Sequence, residues 1–360
     1  MKLEKGEISA FQLTFLVGSF TQGGLLSLSY AFPIAEHDTW LAVFAALILG
    51  LLFAALYLAL ANQFPGQNII QINDLVFGPY LGKIVSLIYI NLFLTILSLH
   101  LWFIGDFVLT YIMPETPVVL IMMMFTFICA WAVRSGIEVI ARVSVLIFAL
   151  TYFNMLLTVG LLLPDMEFTN FLPVLELQLR DFVQSTHIIL HVSYASVIIF
   201  LMIIPALNKP KTAKKPLLLG IISGGSFMII GSIREIAALG PLCGVVTSPS
   251  MEAVRLINIA KILTRVEVLI TMGQIILMFI IASLFYYAVA LSIAQLTKLR
   301  TYVPLVYPIG VIAVTLALTS YESRMELSYY VMHITPMYSL LFYLFIPLTT
   351  FITAKLRRLK

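Results

Sequence analysis

A polar interruption, Thr21-Gln22-Gly23-Gly24, lies in the middle of the first apolar segment of the chain. The flanking stretches, Ile8 to Phe20 and Leu25 to Ile34, are apolar enough for a membrane helix. Glycines at this depth loosen a helix and expose backbone N–H and C=O groups, which hydrocarbon cannot satisfy. Such a break is tolerated where protein surrounds it or where it lines a cavity, so it indicates either close helix packing or a ligand site.

A second polar cluster, His191-Val192-Ser193-Tyr194-Ala195-Ser196, lies in the sixth predicted span. The first and sixth helices are equivalent members of a five-plus-five inverted repeat, and paired interruptions there are the best sequence indication of a central binding site. Neither break carries a charged side chain. A zwitterionic ligand would therefore place its carboxylate on helix N-terminal N–H groups at the first break, and its ammonium on backbone carbonyls and the hydroxyls of Ser193 or Ser196.

Apolar residues of two further spans are expected to surround the side chain of the ligand. Leu92 and Ile96 share one face of the third span through their i, i+4 spacing, and Ile281 and Phe285 do the same on the eighth. Ordinary helix packing is the alternative for each of these four residues.

Catalytic and metal-binding motifs are not evident in the sequence. It contains no HExxH, P-loop, GxSxG or paired CxxC pattern. His187 and His191 would share a helix face, but no third metal ligand is evident, and a structural or pocket-lining role is the simpler interpretation. The sequence therefore predicts a protein that is not an enzyme and that needs no cofactor or metal.

Ionisable residues within the spans are informative because their burial in a bilayer is costly. Asp106 and His100 lie in the third span, where they either make structural contacts or line an outer vestibule that a ligand or ion passes. Interfacial positions, or ion pairs that tie two helices together, are expected for Arg234, Glu235, Arg265 and Glu267.

The composition places all of these residues in a membrane protein. Hydrophobic residues make up 61% of the chain and charged residues 11%, whereas soluble domains carry about 25% charged residues; the mean hydropathy is +1.05. We predict an all-α polytopic fold in which residues 1–360 form a single integral membrane domain. Ten predicted spans cover residues 8–34, 40–61, 84–112, 117–134, 142–163, 186–206, 217–240, 266–294, 303–320 and 334–354.

Lysine and arginine set the predicted orientation. The positive-inside rule places loops rich in lysine and arginine in the cytoplasm. The orientation that does so here has both the N-terminus and the C-terminus in the cytoplasm. The lysine-rich loop at 208–215 is interpreted as a topology signal, with no nucleic acid expected as a partner. The basic segment at 355–360 is expected to lie against anionic lipid headgroups.

Short motifs distributed along the whole chain carry a family resemblance. They are Ile8-Ser9-Ala10-Phe11-Gln12-Leu13, Gly24-Leu25-Leu26-Ser27-Leu28, Phe64-Pro65-Gly66, Phe77-Gly78-Pro79-Tyr80-Leu81-Gly82-Lys83, Gly136-Ile137-Glu138-Val139-Ile140-Ala141-Arg142, Phe171-Leu172-Pro173-Val174-Leu175-Glu176, Ser248-Pro249-Ser250-Met251-Glu252-Ala253-Val254-Arg255 and Arg265-Val266-Glu267. In order and spacing the chain resembles the spore germination permeases, the B subunits of the nutrient germinant receptors of endospore-forming bacteria.

The resemblance implies membership of the amino acid–polyamine–organocation transporter superfamily, with a LeuT-like fold whose helices 1 and 6 are broken. In that superfamily the ligand lies at the unwound middle of these helices, which corresponds here to Gln22, Gly23 and Gly24 together with residues 194–197. With the candidates above, the predicted ligand-binding set is Thr21, Gln22, Gly23, Gly24, Leu92, Ile96, Ser193, Tyr194, Ser196, Val197, Ile281 and Phe285.

The resemblance also implies a sensing role. Such subunits lie in the inner membrane of the dormant spore, act with an A subunit and a lipoprotein C subunit, and recognise small nutrients. The expected function is a germinant receptor B subunit that binds a small germinant, an amino acid, and triggers germination by a conformational change. The alternatives are a proton- or ion-coupled amino-acid transporter and a component of a ligand-gated ion channel.

Overall fold

The computed structural model describes residues 6–257 and 267–359, which are predominantly helical. Within them, 8 helical segments are long and apolar enough to cross a bilayer, and Val118–Arg134 is a shorter apolar helix. The first long segment, Ala10–Gln63, contains the second predicted span and all but the first two residues of the first. The all-α polytopic architecture predicted from the sequence, with about ten spans, is confirmed.

The first predicted span consists of two α-helices joined by a tighter turn. Helix α1, Ala10–Gln22, begins with a capping box in which the Ser9 hydroxyl accepts a hydrogen bond from the Gln12 N–H and the Gln12 side chain accepts one from the Ser9 N–H. Residues Gly23–Ser27 form a 3₁₀ helix, and α2 follows over Leu28–Ala35. The chain thus stays helical through the interruption and changes only its hydrogen-bonding pattern.

The next two helices are separated from the first span by clear breaks. Glu36, with φ of 45°, ends α2, and α3 follows over Thr39–Gln63. Helix α4 covers Ile69–Tyr111 and bends at Gly78, where φ is 82°, and at Pro79, which has no N–H to donate. The part of α4 before this bend occupies what was predicted as a connection, and the part after it matches the predicted span 84–112.

The sixth predicted span is interrupted over most of its length. The two helices before this span, α5 (Val118–Arg134) and α6 (Ile137–Leu162), match their predicted spans. The sixth span itself begins with α7 (Leu179–Ile189), continues through a π-helical turn (Leu190–Tyr194) and ends in a 3₁₀ helix (Ala195–Met202). A π turn holds more residues than an α turn and a 3₁₀ turn fewer, so the side chains here do not follow a single α-helical face.

The remaining helices complete the bundle. In the last span, π-helical turns at Tyr330–Ile334 and Leu341–Phe345 separate three short helices. The bounds are α8 Lys214–Leu239, α9 Pro249–Arg255, α10 Glu267–Leu296, α11 Val306–Ser320, α12 Arg324–Tyr329, α13 Thr335–Leu340 and α14 Ile346–Leu356.

Close packing fixes α1 at the centre of the bundle. It lies against α6 and α8, and a Cβ added to α8 at Gly220 or Gly224 would overlap Val17 or Thr21 of α1. Such small residues are typical of membrane helices, whose association depends on tight packing. Helix α10 packs against α1, α4 and α5, so that α1, α4, α10 and the sixth span surround a common centre.

Candidate ligand-binding site

A cavity of about 60 Å³ lies where the two interrupted segments meet α4 and α10. One water needs roughly 10–15 Å³ measured in this way, so the cavity has room for a few waters or a small ligand. It is lined by Phe20, Gly23, Gly24, Leu26, Ser27, Tyr30, Leu99, His100, Phe103, Val192, Ser193, Ser196, Ile281, Phe285 and Val331. Six residues of the predicted ligand-binding set are among them: Gly23, Gly24, Ser193, Ser196, Ile281 and Phe285.

The two interrupted segments are in direct contact at Gly24 and Ser193. The Ser193 hydroxyl donates to the Gly24 carbonyl over 3.3 Å, and the Ser27 hydroxyl donates to the same carbonyl over 2.6 Å. The two hydroxyl oxygens are 3.0 Å apart. A Cβ added at Gly24 would overlap Ser193, and one added at Gly23 would overlap Ile281 of α10. These two glycines therefore allow the backbone of the first segment to approach both neighbours.

The backbone at the first break is more completely paired than expected. We predicted free N–H groups for a ligand carboxylate, but the Gly23 N–H donates to the Ser19 carbonyl and the Leu28 N–H donates to the Leu25 carbonyl. A 3₁₀ helix keeps such internal hydrogen bonds, which explains the difference. The polar groups between the segments are instead the Gly24 carbonyl and the hydroxyls of Ser27 and Ser193.

Aromatic rings form much of the cavity wall. The ring centroid of Phe285 lies 5.9 Å from that of Phe20 and 6.1 Å from that of His100, which it stacks against at an interplanar angle of 28°. His100 Nδ1 lies 2.8 Å from the Ile96 carbonyl oxygen, which accepts its proton. A neutral imidazole in that tautomer keeps Nε2 as an acceptor. His100 was predicted either to make structural contacts or to line an outer vestibule, and it is not in the predicted ligand-binding set.

Charged side chains are absent from the cavity wall formed by the described residues. The nearest ion pair on α4 joins Asp106 to Arg324 of α12 over 3.1 Å, and the Arg324 guanidinium lies 5.8 Å from the centroid of the Phe103 ring. Asp106 thus lies one turn beyond the cavity and ties α4 to the last span. The cavity itself suits an uncharged or zwitterionic ligand with a small apolar body.

Four other members of the predicted set, all on the interrupted spans, lie outside the cavity. Thr21 packs on Gly224, and the Gln22 side-chain oxygen accepts a hydrogen bond of 2.9 Å from Thr151 of α6. Tyr194 packs on Gly50 of α3 and is not one of the residues that line the cavity. Val197 is buried in the core of the bundle.

Leu92 and Ile96 also lie outside the cavity. Leu92 is buried in the core, and the Ile96 carbonyl is the acceptor for His100. The residues of α4 that line the cavity are Leu99, His100 and Phe103. Leu99 and Phe103 follow Leu92 and Ile96 by seven residues, which is about two helical turns. The cavity therefore borders the same face of α4 as predicted, but two turns farther along the helix.

His187 and His191 each make a hydrogen bond through one ring nitrogen within the protein. His187 Nε2 lies 3.2 Å from the Ser339 Oγ, and His191 Nδ1 lies 2.9 Å from the His187 carbonyl oxygen, which accepts its proton. The rings of the two histidines are 5.7 Å apart. Groups of three metal-binding side chains are absent from the described part of the chain. Glu267 is the first residue of α10, and Arg265 lies outside the described residues.

Of the two expectations for Arg234 and Glu235, an interfacial position or an ion pair that ties helices together, the structure shows the second. Both residues are 1% exposed, and their side chains form an ion pair of 3.1 Å within α8. The Arg234 guanidinium also donates to the Thr158 hydroxyl of α6 over 2.9 Å, and the Glu235 carboxylate accepts a hydrogen bond from Ser250 of α9. The pair therefore joins three helices inside the protein instead of reaching water at a membrane surface.

Comparison with known proteins gives consistent matches over most of the chain. The profile of a family described as "Spore germination protein" matches residues 7–325. Spore germination protein KB of Bacillus subtilis (strain 168) is 28% identical over 359 residues, which cover 98% of this chain and 95% of that protein. Spore germination protein YndE of the same organism is 26% identical over 72% of each chain.

Solved transporter structures share the fold. A nucleobase-cation-symport-1 family transporter, in a closed conformation with bromovinylhydantoin bound, matches 93% of this chain and 76% of its own with a TM-score of 0.66 and 11% identity. A manganese transporter from Eremococcus coleocola matches 98% of this chain and 81% of its own with a TM-score of 0.51 and 13% identity. At this level of identity the likeness concerns the fold alone, and it supports the predicted transporter-like architecture.

Proposed function

The chain belongs to the spore germination protein family, and we propose that it is the B subunit of a nutrient germinant receptor. Membership of this family and the transporter-like fold give it a germinant-receptor-like or transporter role as an integral membrane protein. The more specific proposal is that a small nutrient, an amino acid, binds in the central cavity and triggers germination by a conformational change. The protein carries out no chemical reaction on that ligand.

The observation that carries this proposal is the cavity at the contact between Gly24 and Ser193. Its polar groups come from both interrupted segments, and its walls are apolar and aromatic. A ligand that contacts both segments binds one arrangement of them better than another, and only such a difference in affinity can shift a conformational equilibrium.

The size and charge of the cavity define the ligand class. With about 60 Å³ and no charged wall residue among those described, it suits a small amino acid whose apolar side chain contacts Phe20 and Phe285. The ammonium group can donate to the Gly24 carbonyl and the Ser193 hydroxyl. The carboxylate can accept from the Ser27 hydroxyl once that hydroxyl turns away from the Gly24 carbonyl, which the ammonium group then occupies.

Binding to the purified protein tests this proposal directly. Small apolar amino acids should raise the thermal unfolding midpoint of the detergent-solubilised protein in a saturable manner, because a ligand that binds only the folded state stabilises it by mass action. Charged amino acids of similar size should have no effect. If no small nutrient stabilises the protein while a germination screen of spores carrying only this receptor gives a response, the nutrient binds elsewhere in the receptor.

We further propose the setting in which the subunit acts. It lies in the inner spore membrane with both termini in the cytoplasm, together with an A subunit and a lipoprotein C subunit. Its orientation can be tested by labelling cysteines introduced on the lysine-rich loop at 208–215. Labelling from the outside of intact cells would contradict the proposed topology.

A secondary transporter is the second candidate, and the shared fold with solved transporters favours it. A transporter should exchange labelled amino acid across the membrane of proteoliposomes without any partner subunit. A pure sensor should bind the same amino acid without counterflow. Measuring both in one preparation distinguishes the two functions.

A further inference from the structure

A second, smaller cavity lies beside the central one. Leu26 and Phe103 line both cavities and so form the partition between them. The smaller cavity has a volume of about 20 Å³, which is enough for one water molecule or one ion of similar size. Its polar lining comes from four parts of the chain and consists of Ser29, Glu235, Thr247, Ser248, Ser250 and Gln274.

Glu235 gives this cavity a carboxylate with unused acceptor capacity. Oε1 accepts hydrogen bonds from the Arg234 guanidinium and the Ser250 hydroxyl. Both of these hydrogen bonds go to the same carboxylate oxygen. A carboxylate has about four lone-pair directions on its two oxygens, so several remain available.

Gln274, Ser29 and Ser250 add acceptor oxygens that lack a partner or have lone pairs to spare. Gln274 is 7% exposed, and its Oε1 lacks a hydrogen-bond partner among the described residues. The Ser29 hydroxyl donates to the Leu26 carbonyl over 2.8 Å, and the Ser250 hydroxyl donates to Glu235. Their protons are therefore engaged elsewhere, and their oxygens are free to bind a positive charge. Oxygen ligands of this kind are those that hard cations prefer.

The position of Arg234 limits the charge that the cavity can hold. Its guanidinium contacts Thr158 and Met155 of α6 as well as Glu235. It already balances the Glu235 charge, so a divalent ion would leave two uncompensated positive charges in a buried site, whereas a monovalent ion would leave one. An anion would face the carboxylate. A single positive charge, bound weakly, is the best match to these groups.

We propose that the smaller cavity binds one monovalent metal cation through Glu235, Gln274 and the hydroxyls of Ser29 and Ser250. A ligand in the central cavity would contact Leu26 and Phe103, the same side chains that close the cation site. Occupancy of the two cavities is thereby coupled, and the coupling acts equally in both directions. The existence of the cation site does not rest on the identity of the ligand in the central cavity.

Thermal unfolding of the full-length protein in detergent tests the site without any nutrient. Sodium or potassium chloride should raise the unfolding midpoint saturably above the value in choline chloride of equal ionic strength, because choline is too large for the cavity. Glu235→Gln and Gln274→Leu should each weaken the apparent cation affinity at least about 10-fold, the scale seen when even the outer partners of a metal site are removed.

Glu252→Gln is the matched control, because this carboxylate lies on the exposed side of α9 and pairs with Arg255. It should keep the full cation response. If Glu235→Gln does not fold, Gln274→Leu alone tests the cation site. The Gln274→Leu substitution removes one oxygen ligand and leaves the Arg234–Glu235 pair intact. Equal midpoints in sodium, potassium and choline chloride would mean that the cavity holds only water, and an unchanged response in both site variants would place the cation elsewhere. Either result overturns the proposal.

Discussion

Gly24 and Ser193 touch across the two interrupted spans, so closely that one added carbon at Gly24 would overlap the serine side chain. The same serine donates a hydrogen bond to the Gly24 carbonyl over 3.3 Å. The contact is therefore both steric and polar, and it lies in the wall of the central cavity. A change in the distance between these segments must change the shape of the cavity.

Substitution of Gly24 should weaken the nutrient response without removing the protein from the membrane. Gly24→Leu is expected to abolish the response, and Gly24→Ala to shift the nutrient dependence by about 10-fold or more. Overpacking of this kind costs about 1–3 kcal/mol, and about 1.4 kcal/mol corresponds to a factor of ten. Germination of spores that carry each variant, with immunoblots of their membranes, measures both quantities.

Two further variants make the Gly24 test specific. Gly160→Ala is the control, because a Cβ at this position of α6 meets nothing within 4 Å, so the response should stay normal. Ser193→Gly should restore part of the response to Gly24→Ala by making room for the added methyl group. A normal response from Gly24→Leu would show that the nutrient does not bind between these segments.

His100→Ala should change which ligands are accepted. The substitution removes a ring that stacks on Phe285 and enlarges the cavity. The apparent affinity for the native nutrient should fall about 10-fold, while analogues larger by one or two methylene groups should lose less or gain, since each buried methylene contributes about 0.8 kcal/mol. Dose–response curves for such a series provide the measurement.

His333→Ala is the matched control for His100, because His333 is exposed and contacts Tyr329 near the surface. It should leave every dose–response curve unchanged. Identical curves for His100→Ala and the unmodified protein would remove His100 from the ligand-binding wall.

Asp106→Asn should lower stability modestly and in a salt-dependent manner. The Asp106–Arg324 pair is 22% and 23% exposed, so solvent screens it and its contribution is about 1 kcal/mol. The loss relative to the unmodified protein should shrink as salt concentration rises. Thermal unfolding at low and high salt measures it, with Glu138→Gln at the exposed Arg142 pair as a control that should change little.

Arg234→Met should be far more damaging than loss of a surface pair. It leaves the Glu235 carboxylate buried without its counter-charge, which costs about 3–5 kcal/mol. The double variant Arg234→Met with Glu235→Gln should recover most of that loss, because no net charge then remains inside the bundle. Unfolding midpoints of the purified variants measure both effects.

Arg255→Met on the exposed pair with Glu252 serves as the comparison and should be close to neutral. If Arg234→Met is equally mild, water must reach Glu235, and the buried ion pair would not be structurally important. A double variant no better than Arg234→Met would show that the arginine acts through its contacts with α6.

The sequence predicted which segments meet at the site better than it predicted which side chains face it. Gly24 and Ser193 were found because small polar residues in the middle of an apolar run have a direct physical meaning. Tyr194 and Val197 belong to the same run, but the π turn and the 3₁₀ helix that follow change the angle between successive side chains. Their direction depends on that local geometry, which residue types alone do not determine.

Depth within the bundle was the other quantity that the sequence did not reveal. Leu92 and Ile96 lie on the correct face of α4, yet Leu99 and Phe103 line the cavity. The bend at Gly78 and the length of α4 determine which residues of α4 lie at the level of the interruption in the first helix. The burial of Arg234 and Glu235 was also not evident from the sequence. Their position near the end of a predicted span does not reveal that α6 and α9 enclose both side chains.

The 3₁₀ helix at Gly23–Ser27 also makes the first span a helix of adjustable length. Its 5 residues rise about 2.0 Å each, against about 1.5 Å in an α-helix, so rewinding them would shorten the span by about 2.5 Å. Almost every backbone hydrogen bond can be kept during such a change, since each donor only exchanges one carbonyl for the next. The backbone of the segment thus permits a travel comparable to half an α-helical turn, and the cost of that travel lies in the side-chain contacts with α8 and Ser193, which would have to shift.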